Sequence, residues 1–300
     1  MKRPPLWRIS VVTSLEAEDA VAEMLAGLLG ESATAYFDLE RQVSLVSVYR
    51  QQATVPEAKI RQEIKAGLER LRNCGLELAP GTTKVERVRH EDWAESWKRH
   101  FHPMEIGQSL LIKPSWSRRR PRKHQEVVVL DPGLSFGTGQ HPTTSFCLQE
   151  VARHVEIGTP GSFLDIGTGS GILAIAAAKL SYHPIYAFDF DPEAVRVARA
   201  NASANEVSKK IHLTRGDVTR LALRPPRRFD LVCANLISTL LLAGRKRIVS
   251  QLNKGGTLVL SGILKTEFGG VRAAYQELGL TLAKTESRNE WQSGSFRLLK

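Results

Sequence analysis

The stretch that most constrains this chain is 163–191, FLDIGTGSGILAIAAAKLSYHPIYAFDFD. A short apolar run ends in Asp165, glycines follow at Gly167, Gly169 and Gly171, and an alanine-rich segment beginning near Ile172 reads as a helix. Glycines in a strand–turn–helix unit stand where backbone takes unusual dihedrals or approaches a ligand too closely for a Cβ. The helix start behind them offers unpaired N–H groups. A second apolar run, 185–188, ends in Asp189, 22 residues after Gly167 (189 − 167). An acid at that distance suits a ribose.

The glycine spacing separates two classes of nucleotide site. A dinucleotide fingerprint, G-x-G-x-x-G, needs its third glycine at position 172, where Ile172 stands. The pattern here is G-x-G-x-G preceded by Asp165. It resembles the motif of the seven-stranded S-adenosylmethionine-dependent methyltransferases, whose cofactor carries no phosphate. A glycine turn between strand and helix can also be only a turn. The downstream acid, with Asp191 as N-cap and Pro192 at the first helical position, argues for the site.

A chain of 300 residues with 42% hydrophobic content can bury a full core and allows two domains. Its three cysteines, Cys74, Cys147 and Cys233, are odd in number and far apart, which excludes a disulfide framework and a C-x-x-C metal knuckle; no metal is expected. A reducing cytoplasm fits that usage. Lys2 and Arg3 are followed by Arg8, Glu16, Glu18 and Asp19 before a signal-type apolar core could form, and no run reaches the ~18–20 residues of a membrane span. The net charge is 42 − 31 = +11, and five of the six positions 118–123 are basic. That run reads as a solvated loop or as a contact for RNA or a ribonucleoprotein. With no aromatic residues interleaved, it argues proximity to nucleic acid and not recognition of it.

Taken in order, 6–12 reads as a strand, 14–29 as a helix ending at Gly30, 34–39 and 43–49 as strands, 56–71 as a helix and 83–88 as a strand. Strand, helix, strand, strand, helix, strand is the ferredoxin-like α+β order, expected for residues 1–89. No catalytic spacing occurs there, so a substrate-recognition or structural role is expected. Residues 90–103 read as a linker helix with Trp93, Trp97 and Phe101 on one stripe, either a packing seam or the element that orients the first domain. Residues 104–300 form the second domain. Strands are expected at 109–112 and 126–130 around the basic loop, then a glycine-rich loop from 130 with a helix over 142–154. His141 in that loop is either a base or a structural residue. Further strands at 211–214, 229–234, 257–261, 280–286 and 296–299, with a helix over 240–252 ended by Gly255 and Gly256, complete an α/β, seven-stranded Rossmann-like methyltransferase sheet closed by a terminal hairpin. Asp217 past the third strand is either an adenine contact or a turn cap.

The segments EDWAESWKRHFHPMEIG, KPSW, DPGLSFGTGQHPTT, LDIGTGSGILAIAA, DFDPEAV, ANLI, LSGIL and the late EW together resemble the ribosomal protein L11 methyltransferase (PrmA) family over about residues 90–292. The resemblance implies a cytoplasmic enzyme that uses S-adenosyl-L-methionine to trimethylate the N-terminal α-amine and lysine ε-amines of that large-subunit ribosomal protein. It implies cofactor contacts at Thr144, Gly167, Asp189 and Asn235, to which the glycine turn adds Asp165, Gly169 and Gly171. Asn235 is also the expected catalytic residue.

The chemistry asks for a neutral amine aligned with the methyl carbon and sulfur. At pH 7, deprotonation costs about 4–5 kcal/mol for a lysine and ~1 kcal/mol for an α-amine, and desolvation beside a sulfonium lowers the lysine figure. No strong base is then required, and Asn235 can accept an N–H and orient the lone pair; its alternative is a turn cap. Leu236 and Ile237 follow where base- or amide-directed enzymes carry a stacking aromatic, which disfavours a planar substrate. Methylation of another protein or of RNA, and a ribosome-associated module without turnover, are the competing readings; transient contact with ribosome or rRNA fits the charge.

Overall fold

The computed structural model describes residues 6–31, 33–38, 42–50, 56–73, 75–88, 102–131, 141–156, 158 and 160–298. Cys74, most of the linker helix expected over 90–103 and the loop at 132–140 lie outside them. The chain divides into two compact units, Met1–His100 and Phe101–Lys300.

The first unit runs β1 (Leu6–Thr13), α1 (Glu18–Leu29), β2 (Ala33–Asp38), β3 (Val43–Arg50), α2 (Glu57–Asn73) and β4 (Thr82–Val88). Its sheet has the order β2-β3-β1-β4 with every neighbouring pair antiparallel. Alternation along the strands buries Ile9, Val11, Val46, Val48 and Val85, which form one core with Val21, Leu25, Ile60, Ile64 and Leu68 of the helices. Helix α1 starts later than its apolar pattern because the Ser14 hydroxyl accepts the Ala17 N–H at 3.2 Å and holds a turn there. It ends at Gly30, whose left-handed φ of +67° and N–H bond to the Ala26 carbonyl close the last turn.

The second unit opens with a small sheet of β5 (Met104–Ile106), β6 (Leu110–Lys113) and β7 (Glu126–Val129), in the order β5-β6-β7. The three residues of β5 are too few to show periodicity, and this strand was not expected. Next come α3 (Pro142–Glu156), β8 (Phe163–Ile166), α4 (Ile172–Lys179), β9 (Ile185–Asp189), α5 (Pro192–Ala204), β10 (Ile211–Arg215), β11 (Phe229–Asn235), α6 (Ser238–Ser250), β12 (Leu252–Leu264), α7 (Lys265–Gln276), β13 (Leu280–Arg288) and β14 (Trp291–Leu298). Strands β8 to β14 build one mixed sheet, β10-β9-β8-β11-β12-β14-β13, in which β14 is antiparallel to both neighbours.

This sheet is buried on both faces. Along β11, Leu231 and Cys233 join the core under α3 and α4, while Val232 and Ala234 join the one under α6 and α7. Cys147 of α3 and Cys233, far apart in sequence, are both buried and neighbours; burial, and then the nearby Cys147 thiol, push the Cys233 thiol well up. Helix α6 ends at Ser250, not at the glycine pair. Gly255 and Gly256 belong to β12, and a Cβ on Gly256 would stand 2.8 Å from the Asn253 carbonyl and 3.1 Å from that of Phe229. The pair therefore serves close strand approach where the β11–β12 register shifts. Strand β14 begins five residues before its expected start (296 − 291), because Ser293 and Ser295 occupy buried positions that carry no hydrophobic signal.

Ile64 is fully buried in the first unit. Ile64→Ala should lower stability by about 2–5 kcal/mol, seen as a lower midpoint in chemical denaturation with unchanged slope.

Candidate functional site

In the large sheet the chain runs outward from β8 to β9 and β10, then returns to β11 on the other side of β8. Loops leaving β8 and β11 part at that reversal, which opens a crevice at the carboxyl ends of the strands. The register pairs Ile166 with Phe188 and Ala234 with Ile166, so Gly167, Asp189 and Asn235 follow or end three adjacent strands. Residues up to 68 apart in sequence (235 − 167) thereby share one edge.

Gly167, Gly169 and Gly171 all take positive φ, at +74°, +53° and +83°. The Gly167 and Thr168 N–H groups donate to the Phe188 carbonyl at 3.0 Å, and the Gly169 N–H donates to Asp189 Oδ2 at 2.9 Å. A Cβ on Gly167 would lie 2.5 Å from Leu236 Cδ2, and one on Gly171 3.2 Å from the Ala198 Cα. The turn is thus closed against β9 on one side and α5 on the other. Asp189 also accepts the Asp191 N–H on Oδ1 at 3.0 Å. Each of its oxygens holds one backbone donor and keeps a second acceptor position.

Asp165 lies beneath this turn, 1% exposed. Its Oδ2 accepts the Thr168 hydroxyl at 2.6 Å, and its buried Oδ1 has no hydrogen-bond partner. Burial pushes its carboxyl up to about 7, against the pull of Thr168.

Asn235 is reached from the other side by α3. Its Nδ2 donates to the hydroxyl of buried Thr144 at 3.3 Å. Gly262, at φ +79°, faces it: a Cβ there would stand 2.7 Å from the Leu236 carbonyl and 3.0 Å from Asn235 Oδ1. Next to it, the Ser261 hydroxyl donates to the Thr143 carbonyl at 3.0 Å and meets Ser293 Oγ at 2.7 Å. His141 places Nδ1 2.7 Å from Thr143 Oγ1 and stands edge-on to Trp291, ring centroids 5.2 Å apart. Burial lowers its pKa, partly opposed by Glu290, so the imidazole is neutral at pH 7. Ser261, Gly262, Trp291 and Ser293 escaped the motif reasoning. LSGIL and EW were visible as words, but their spacing carries no chemistry by itself.

Two residues singled out in the sequence lie apart from this network. Asp217 caps a turn, its Oδ1 accepting the Thr219 N–H at 2.8 Å and hydroxyl at 2.7 Å. In the basic loop, Arg119 and Arg122 both pair with Glu105. What the strand ends assemble is a carboxylate with two remaining acceptor positions beside a glycine backbone, and an amide–hydroxyl pair one strand away. Such an edge can hold a polar ligand bearing a diol and orient an N–H nucleophile next to it.

A family model described as "Ribosomal protein L11 methyltransferase (PrmA)" matches residues 5–298. The chain is 41% identical over 213 residues to the ribosomal protein L11 methyltransferase of Geobacter metallireducens, covering 71% of this chain and 68% of that protein. It is 32% identical to that of Alkaliphilus oremlandii, covering 94% and 95%. A crystal structure of ribosomal protein L11 methylase from Lactobacillus delbrueckii subsp. bulgaricus superposes with a TM-score of 0.59 at 30% identity, covering 67% of this chain and 100% of that one.

Gly262→Ala should cost about 1–3 kcal/mol through its left-handed backbone, and the methyl should displace Asn235 from Thr144. A crystal structure of the variant with the 3.3 Å contact intact would contradict this. The Asp165 carboxyl titrates near 7 when folded and near 3.8 when unfolded, so the native state holds the extra proton between those values. Its contribution therefore falls as pH rises from about 4 to 7, by on the order of 4 kcal/mol when complete. Asp165→Asn should remove that slope, so variant and parent unfolding energies should diverge in the variant's favour across this window.

Proposed function

The chain belongs to the ribosomal protein L11 methyltransferase (PrmA) family, and we propose that it methylates amines of ribosomal protein L11, both lysine ε-amines and the N-terminal α-amine. The observation that carries this reading is the Asn235–Thr144 contact beside a glycine turn and Asp189, followed by aliphatic Leu236 and Ile237.

The residues present fit S-adenosyl-L-methionine as cofactor. The glycine turn presents bare backbone to the crevice, Asp165 keeps an unpartnered buried oxygen, and Asp189 retains two acceptor positions suited to a ribose diol. Thr144, Asp165, Gly167, Gly169, Gly171, Asp189 and Asn235 would hold it. When bound, it supplies an electrophilic methyl group on a sulfonium.

The chain's own residues do the rest. With Nδ2 given to Thr144, the acceptor left to Asn235 is Oδ1, which takes one N–H of the substrate amine and turns its lone pair into the crevice. Asn235 is the catalytic residue in this reading. Thr144 is a positioning residue for it: as acceptor to Nδ2 it fixes which way the amide faces. Ile237 is 59% exposed and offers an aliphatic rim to a lysine stem, and the positions after Asn235 carry no ring on which a base could stack.

The first unit holds none of these residues. Its all-antiparallel sheet order supports reading residues 1–89 as a ferredoxin-like substrate-recognition domain, joined by a linker helix over 90–103 to the methyltransferase domain over 104–300. Among the described residues no helix is long and apolar enough to cross a membrane; with a ribosomal protein as substrate, a cytoplasmic setting and passing contact with ribosome or rRNA follow.

Incubation with labelled S-adenosyl-L-methionine and purified L11 should put the label in L11. Label found only in another protein or in RNA, or in nothing, would reject the assignment. Asn235→Ala should reduce kcat by about 10²-fold while cofactor affinity by calorimetry changes much less, the pattern of an interaction made chiefly in the transition state.

A further inference from the structure

Charge is distributed unevenly between the two edges of the large sheet. At the carboxyl edge the signs mix: Asp189 ends β9, Asp191 and Asp217 follow β9 and β10 and Glu290 sits in the β13–β14 turn, beside Arg215, Lys265 and Arg288 at the ends of β10, β12 and β13. At the amino edge cations predominate. Lys209 and Lys210 immediately precede β10, Arg224, Arg227 and Arg228 precede β11, and Lys254 lies near the start of β12; all six are exposed. Among the described residues none of the six takes part in an ion pair. The acids nearest in sequence at this edge are Glu206 and Asp230, and Asp230 is spent. Its Oδ2 accepts the Ser162 N–H and hydroxyl at 2.8 and 2.7 Å, and its Oδ1 accepts Asn253 Nδ2 at 2.7 Å.

An aromatic stack lies among these cations. Tyr186 and His212, each the second residue of its strand, stack with centroids 4.6 Å apart and planes at 20°. Arg227 places its guanidinium 5.0 Å from the Tyr186 centroid and donates to its hydroxyl at 2.9 Å. The imidazole of His212, exposed, ends the stack.

From β10 to β12 the sheet advances four strand spacings, β10-β9-β8-β11-β12, or about 19 Å at ~4.8 Å each. A single phosphorylated side chain cannot cover that span, whereas a chain of phosphates can. An acidic protein surface would satisfy the charge but has no use for a planar stack, which a nucleobase does.

We propose that the amino edge of this sheet binds the phosphate backbone of a structured RNA, with the His212–Tyr186–Arg227 stack receiving an unpaired base. The reacting edge then faces away from the RNA, open to a protein substrate. The proposal is independent of the amine-methylation reading, and its test needs no methyl donor.

The test is fluorescence anisotropy of the full chain with a labelled stem-loop RNA, titrated between about 50 and 200 mM salt. Log affinity should fall linearly with log salt. The combined variant Lys209→Glu, Lys210→Glu, Arg228→Glu should bind about tenfold more weakly or worse, with the salt slope reduced by about 3, and Lys210→Ala alone should reduce it by about 1. Thermal melting at the parent temperature shows the variants folded, and the single alanine suffices if the triple variant does not fold. His212→Ala should weaken binding of the stem-loop but not of a fully paired duplex. Arg196→Glu, on the second turn of α5 toward the opposite edge, should leave binding unchanged. Folded variants that keep the parent's affinity and slope would overturn the proposal. So would polyglutamate binding as tightly as the RNA with the same sensitivity to these substitutions, which would assign the edge to an acidic protein.

Discussion

The hydrogen bond from the Gly169 amide to the Asp189 carboxylate joins the turn after β8 to the end of β9, and the site rests on that junction. A bond to a charged acceptor contributes about 1.5–3 kcal/mol, and this one forms only because the turn takes three left-handed backbone conformations. The same glycines let Leu236 and Ala198 approach, so packing of α4 on α5 and closure of the crevice depend on the same missing Cβ atoms. Asp189 therefore acts before any ligand arrives: it shapes the turn that a ligand would meet.

The opposite wall is tied together by buried polar groups that bond to one another. Ser261 and Ser293 join β12 to β14 and to the first turn of α3, which carries Thr144. Further along α3, Glu150 is fully buried; burial pushes its carboxyl up, but bonds from Arg153 and from Lys284 of β13 outweigh this and hold it below the usual range. Helix α3 is thus fixed at its first turn against β12 and at its middle against β13. Asn235 meets Thr144 because of that anchoring. Asp165 is different, a buried carboxyl with one unpartnered oxygen directly under the glycine turn. Such a group costs stability at neutral pH and is retained where a ligand would meet it.

A parallel α/β sheet sends every strand's carboxyl end to one edge and every amino end to the other. Charges placed before and after strands are then sorted spatially without any of them being near in sequence. Here both signs meet where an amine would react, and an excess of exposed lysines and arginines collects behind. The net charge of +11 is thus poorly described as a basic surface. Six exposed cations lie at one edge of the sheet, and the run at 118–123 has two of its arginines on Glu105.

What the sequence determined by itself was whatever depends on near neighbours. The glycine turn, Asp191 capping α5 through the Glu193 N–H with Pro192 behind it, Gly30 closing α1, and the alternation of strands and helices follow from backbone propensity and short periodicities. Asp165, Gly167 and Asp189 were legible for the same reason, since all three lie on one strand–turn–helix–strand unit. The tertiary structure decided the rest. Ser293, which reads as polar, is interior in β14 because Ser261 of β12 satisfies it. Gly255 and Gly256 became part of a strand because β11 crowds them. Cys147 met Cys233, and His141 met Trp291, through strand order alone. A side chain's partner across 32 to 150 residues (293 − 261; 291 − 141) is set by which strands adjoin, and adjacency is a property of the whole packed sheet that no local pattern encodes.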